Sequence, residues 1–169
     1  GRGLSQTGWV AWWVELPLTL TAAAILIFAL VTKEASIGAG TSAGLALGVA
    51  GVVTCLISVF FAWGYASLGR RMVEGDEAPP VLRTVRLGLY CAAIGCFVAL
   101  LGVQAVVGTT LGKALSSGLS SSAVVQSRPT VSALDLLIIQ GCVNALMSQF
   151  VALIVSLNLL LRFRNPKKG

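Results

Sequence analysis

Charge is what this chain has least of. Only 11% of its 169 residues are Asp, Glu, Lys or Arg, against about a quarter in a typical soluble domain. That is too little to clothe a water-facing surface, so a soluble globular domain is excluded. Histidine is absent altogether, which removes any His-based triad or acid–base pair. Cys55, Cys91, Cys96 and Cys142 form no CxxC or Cys/His pattern, so neither a disulfide scaffold nor a zinc site is supported. All four lie inside apolar blocks and read as small buried hydrophobes. No Walker or GxGxxG phosphate loop occurs in the polar segments. No two carboxylates sit together in an apolar block, and Glu74, Asp76 and Glu77 read as a solvated, self-neutralising stretch among arginines. An enzyme is not expected, nor a cofactor, nor a metal site.

What the chain does have is long apolar runs. It is 56% hydrophobic, with a mean hydropathy of +0.90, and the density of Leu, Val, Ile and Ala excludes a disordered chain. A helix crosses the roughly 30 Å hydrocarbon layer with about 20 mostly apolar residues. Four blocks meet that length, at about 9–32, 41–66, 87–111 and 133–161. The expected fold is all-α: one polytopic membrane domain over 1–169, a bundle of four transmembrane helices. Its connections are the short link 33–40, a polar loop 67–86 containing Pro79-Pro80, and a Ser-rich loop 113–129 with room for a short interfacial helix.

The net charge of +6 would suggest nucleic acid in a soluble protein. Here the basic residues flank apolar blocks, so the expected partners are the bilayer and other membrane proteins, and no nucleic acid. Nine Lys and Arg fall on one side of a four-pass path (Arg2, the pairs at 70–71 and 83/86, and the C-terminal group from Arg162). Lys33, Lys113 and Arg128 fall on the other. Both termini and the middle loop are therefore expected on the cytoplasm-equivalent side. Trp9, Trp12 and Trp13 stand where interfacial aromatic anchors are found.

Small residues recur at spacing four. Gly40, Gly44 and Gly48 form GxxxGxxxG, extended by Gly51 and Cys55. The third span carries Gly88, Ala92 and Cys96, then Gly95, Ala99 and Gly102. Such stripes let helix backbones approach closely in lipid. They serve packing inside the bundle or contact with a second copy or a partner, and the spacing does not choose.

Few polar residues enter the spans. Glu15 stands one turn inside the tryptophans and two residues before Pro17. It reads either as an interfacial glutamate at headgroup depth, or as a buried partner for another span or an ion-pathway residue. In the last span Gln140, Asn144 and Ser148 follow at i, i+4 and i+8, with Gln149 and Asn158 nearby and Gln104 of the third span in position to meet them. Interhelical polar bonding is the leading reading, a hydrophilic conduit the lesser one. Ser132 and Asp135 have the spacing of a capping box opening the last helix.

The segments GWVAWWVELPLTLTAAAIL (Gly8–Leu26), FAWGYASLGRR (Phe61–Arg71), EAPP (Glu77–Pro80), LLGVQAVVGTTLGKAL (Leu100–Leu115) and the last span from Ala133 to Arg162 occur in an order and spacing of their own. In these the chain resembles the plastid and cyanobacterial four-helix membrane family DUF3611, over nearly its whole length. The most specific parts are the run around Gln104 and Lys113 and the ALD…Q…N…S…F pattern of the last span. The resemblance implies a chloroplast membrane, the inner envelope, with termini towards the stroma and a transit peptide removed ahead of Gly1. It brings two roles of different class: a subunit of the protein-import translocon, or an iron permease. The ligand set suits selective iron binding poorly, and the halves show no inverted repeat. The glycine stripes and amides favour a small scaffold subunit, with metal-ion transport as the alternative.

Overall fold

In hydrocarbon every backbone N–H must find its acceptor within its own segment, so a long apolar run becomes a helix even where β-branched residues abound. The computed structural model describes residues 2–32, 39–74, 81–119 and 133–164. They form α1 (Arg2–Val31), α2 (Ala39–Glu74), α3 (Val81–Leu119) and α4 (Ala133–Arg164), with no strand among the described residues. Each helix contains a stretch long and apolar enough to cross a membrane: Ser5–Val31, Thr41–Arg70, Leu82–Lys113 and Ala133–Arg162. The protein is an all-α, polytopic membrane protein.

The helices outrun the apolar blocks. α2 has 36 residues, about 54 Å at 1.5 Å per residue, and continues through Ser67–Glu74, which the polarity pattern assigns to a loop. α3 likewise begins at Val81, inside that polar segment, and runs on to Leu119 rather than ending near 111. The reason is that leaving lipid does not end a helix, whereas a breaker does. SLGRRMVE holds one glycine and no proline. Pro79-Pro80, residues 120–129 of the Ser-rich loop, and Ser132 lie outside the described residues. Pro17 does not end α1, which passes through it, and Thr21 Oγ1 donates to the Pro17 carbonyl at 2.8 Å.

Neighbouring helices run antiparallel. The start of α1 touches the end of α2 (Gly8 on Ala66), Gly44 of α2 faces Val106 of α3, Gly102 of α3 faces Cys142 of α4, and Leu26 of α1 faces Gly141 of α4. α2 and α4 also meet across the diagonal. The interior is built from small side chains (Ala22, Ala29, Cys55, Ala99, Cys142 and Ala145) around Leu26 and Ile138. This topology gathers the exposed Arg70, Arg83, Arg86 and Arg162 at one end and places Lys113 at the other.

Candidate functional site

Lipid contributes no hydrophobic drive between helices, so polar contacts and close backbone approach decide how they dock. The buried polar residues form a spine between α2 and α4. Thr41 Oγ1 donates to Asp135 Oδ1 at 2.9 Å. Ser58 Oγ donates to Gln149 Oε1 at 2.9 Å, and Gln149 Nε2 donates to Thr54 Oγ1 at 3.0 Å. Nearer the arginine end the Tyr65 and Ser156 hydroxyls share a bond of 3.3 Å. The sequence separations are 94, 91 and 91, a near-constant offset that only parallel helices in one register produce. Cys55 Sγ reaches the Ala145 carbonyl at 3.3 Å. α1 joins through Thr19, whose hydroxyl lies 3.0 Å from that of Ser148, while Ser148 Oγ also approaches the Glu15 carbonyl at 3.4 Å.

Glu15 breaks this pattern. It is 1% exposed and lies about 15 Å along α1 from Ser5, at 1.5 Å per residue. Its Oε2 is buried and finds no hydrogen-bond partner among the described residues. It lines a gap between the four helices with Ser58, Tyr65, Gly88 and Ser156, too tight for a water molecule. Glu15 therefore turns into the bundle, and no cation from the described residues meets it.

The other residues singled out in the sequence divide sharply. Ser148 is buried in the spine, but Gln140 is exposed and Asn144 only half-buried. The Gln140 amide reaches no other helix; it lies 3.4 Å from Asn144 Oδ1 on its own. A step of four residues turns a helix by about 400°, so an i, i+4, i+8 row drifts round the surface and only its last member reaches the interior. Gln104 faces outward and does not meet that row. Asp135 accepts from Thr41 of another helix, and Ser132, its expected capping-box partner, lies outside the described residues.

The glycine stripes face inward. A Cβ on Gly48 would stand 2.9 Å from Cys142 Sγ and 3.1 Å from Leu26, and one on Gly102 3.1 Å from Cys142 Sγ. Gly44 abuts Val106, Gly88 the Tyr65 ring and Gly95 the Gln149 amide. Gly51 has ordinary contact distances of 3.7–3.9 Å to Ala99 and Ala145. Ala92 is fully buried. Gly40 stands in the first turn of α2, and its surroundings lie outside the described residues.

Sequence reading missed Thr19, Thr54, Ser58, Tyr65 and Ser156, and gave Gln149 only a passing place. A signal was present. Ser58 and Tyr65 stand seven apart, as do Gln149 and Ser156, the spacing of two facing rows.

A family of proteins of unknown function, DUF3611, matches residues 1–164. The chain belongs to the DUF3611 family. It is also 33% identical over 168 residues, 94% of its length, to Protein TIC 21, chloroplastic, of Arabidopsis thaliana. It spans about half of that relative, 56% of its length. No solved structure matches this DUF3611 chain.

Proposed function

We propose that this chain is a small scaffold subunit of a chloroplast inner-envelope membrane complex connected with protein import, with both termini towards the stroma. The observation that carries this reading is the pair of outward-facing amides, Gln104 and Gln140, within the apolar stretches of α3 and α4. Among the described residues Gln104 has no hydrogen-bond partner and Gln140 only the long contact to Asn144 on its own helix, so these amides point to protein that covers them. The interior supports the same reading, because its hydroxyls and amides are used up in bonds between helices and leave no water-wide passage beside Glu15. Similarity to Protein TIC 21, chloroplastic, supports the compartment, and the family resemblance supports the link to import. The arginine-rich end favours the orientation.

The test is purification from the native membrane in mild detergent. We expect other membrane subunits in stoichiometric amount with the wild-type chain. Gln104→Leu with Gln140→Leu should lose them while keeping the wild-type unfolding temperature. A chain that purifies alone, or a double variant that retains every partner, would overturn the scaffold reading; a homo-oligomer would make the partner a second copy.

Metal-ion permeation is the second reading, and Glu15 favours it, since an unpartnered interior carboxylate is the group a cation would use. Selective metal uptake by the purified chain in liposomes, abolished by Glu15→Gln, would establish it over the scaffold.

A further inference from the structure

At the arginine end, α1 and α2 cross with their backbones in contact. A Cβ on Gly8 would stand 2.7 Å from the Ala66 nitrogen, and Gly69 meets the Ser5 backbone in the same way. Beside this crossing lies a cleft of about 250 Å³ lined by Ser5, Gln6, Trp9, Ala66 and Arg70. Its floor is this backbone-to-backbone contact of the two helices. Its aromatic wall is held: Trp9 stacks on Trp12 at 5.3 Å and meets Trp13 edge-on at 5.9 Å.

The cleft carries a charge that nothing described neutralises. Arg70 makes no ion pair with any side chain that the structure describes, a set that excludes Glu74 one turn further along α2. The carboxylates whose surroundings are described, Glu15 and Asp135, are both buried in the interior, and Asp135 lies towards the opposite end. Arg70 and Ser5 are the last and first residues of two spanning stretches, so the cleft opens at headgroup depth. A guanidinium with a hydroxyl and an amide beside it matches a phosphate or sulfate ester, and a tryptophan wall suits the glycerol region. A second cleft, of about 270 Å³, begins at the same Gln6 and descends between α1 and α4 past Val10, Ala11 and Val14, with Val155 and Val151 opposite. It is almost wholly apolar and runs inward from the charged end.

We propose that these two clefts form one binding site for an anionic membrane lipid, with its headgroup against Arg70, Ser5 and Gln6 and one acyl chain along the valine-lined cleft. The site is distinct from the outward amides, so it stands whether or not the scaffold reading holds.

The test titrates the delipidated full chain in detergent with phosphatidylglycerol and with phosphatidylcholine, counting bound lipids by native mass spectrometry. One phosphatidylglycerol should bind well above the background of phosphatidylcholine. Arg70→Gln should weaken that binding by about tenfold, the scale of one charge-assisted contact, and Arg70→Lys should restore part of it. Arg83→Gln removes the same charge at the same end and should leave it unchanged. Val151→Phe, which fills the apolar cleft, should weaken it with wild-type helicity retained. Equal losses in Arg70→Gln and Arg83→Gln would reduce the effect to diffuse charge attraction and overturn the site. Full displacement by millimolar inorganic phosphate would overturn the lipid as its ligand.

Discussion

Gln149 and Glu15 show how differently a buried polar side chain can be accommodated. Gln149 bonds two residues of α2, Thr54 and Ser58. Interhelical bonds in membranes contribute about 0.6–1.7 kcal/mol each, so Gln149→Leu should cost about 1–3 kcal/mol, read as a lowered unfolding temperature in detergent. Glu15 has no such pair to lose at Oε2. Replacing an unpartnered buried carboxyl by an apolar side chain of similar volume removes the cost of leaving a polar group unsatisfied in the interior. Glu15→Met should therefore unfold at a higher temperature than wild type, and a fall would reveal a partner for the carboxyl. That Glu15 enters a span was legible from its place beside three tryptophans. Which way it turns was not, because direction depends on how α1 is rotated against α2 and α4.

At the scale of the helix, the glycines differ in what they make room for. Gly51 leaves normal contact distance for a methyl group, whereas Gly8 lies on the backbone of Ala66. Alanine is favoured over glycine within a helix by about 1 kcal/mol, so Gly51→Ala should raise the unfolding temperature. Gly8→Ala should lower it despite the same gain in propensity, because the added carbon forces α1 off α2. Thermal unfolding of the two variants in one detergent checks both. The spacing-four stripes were visible in the sequence, and the three-dimensional arrangement assigns the interior to them. Gly8 and Gly69 belong to no such stripe, so nothing in the linear pattern marked them.

The whole molecule is an alternating bundle with a charged end, and its topology has a direct consequence. α1 begins, and α4 ends, at the end that carries Arg70, Arg83, Arg86 and Arg162. Tags fused at the two termini should therefore be protected or digested together by protease added to one face of sealed vesicles, while a site engineered beside Lys113 behaves oppositely. Opposite protection of the termini would contradict the four-pass path. The asymmetry of Lys and Arg was legible because it depends on counting residues between spans and on no contact at all.

The little charge there is thus gathers mainly in a basic rim at one end, while two acidic side chains, Glu15 and Asp135, lie buried within. The sequence alone determined the membrane class, the four helices and the rim, since these follow from the length of apolar runs and from the cost of burying backbone polar groups and charge in lipid. The tertiary structure decided the rest. Only packing set the α2–α4 register that pairs Ser58 with Gln149 and Tyr65 with Ser156, turned Gln140 outward and Ser148 inward along one helix, and opened the cleft at Arg70. A helix surface is continuous, and the rotation that chooses its buried face is fixed by the shapes of its neighbours.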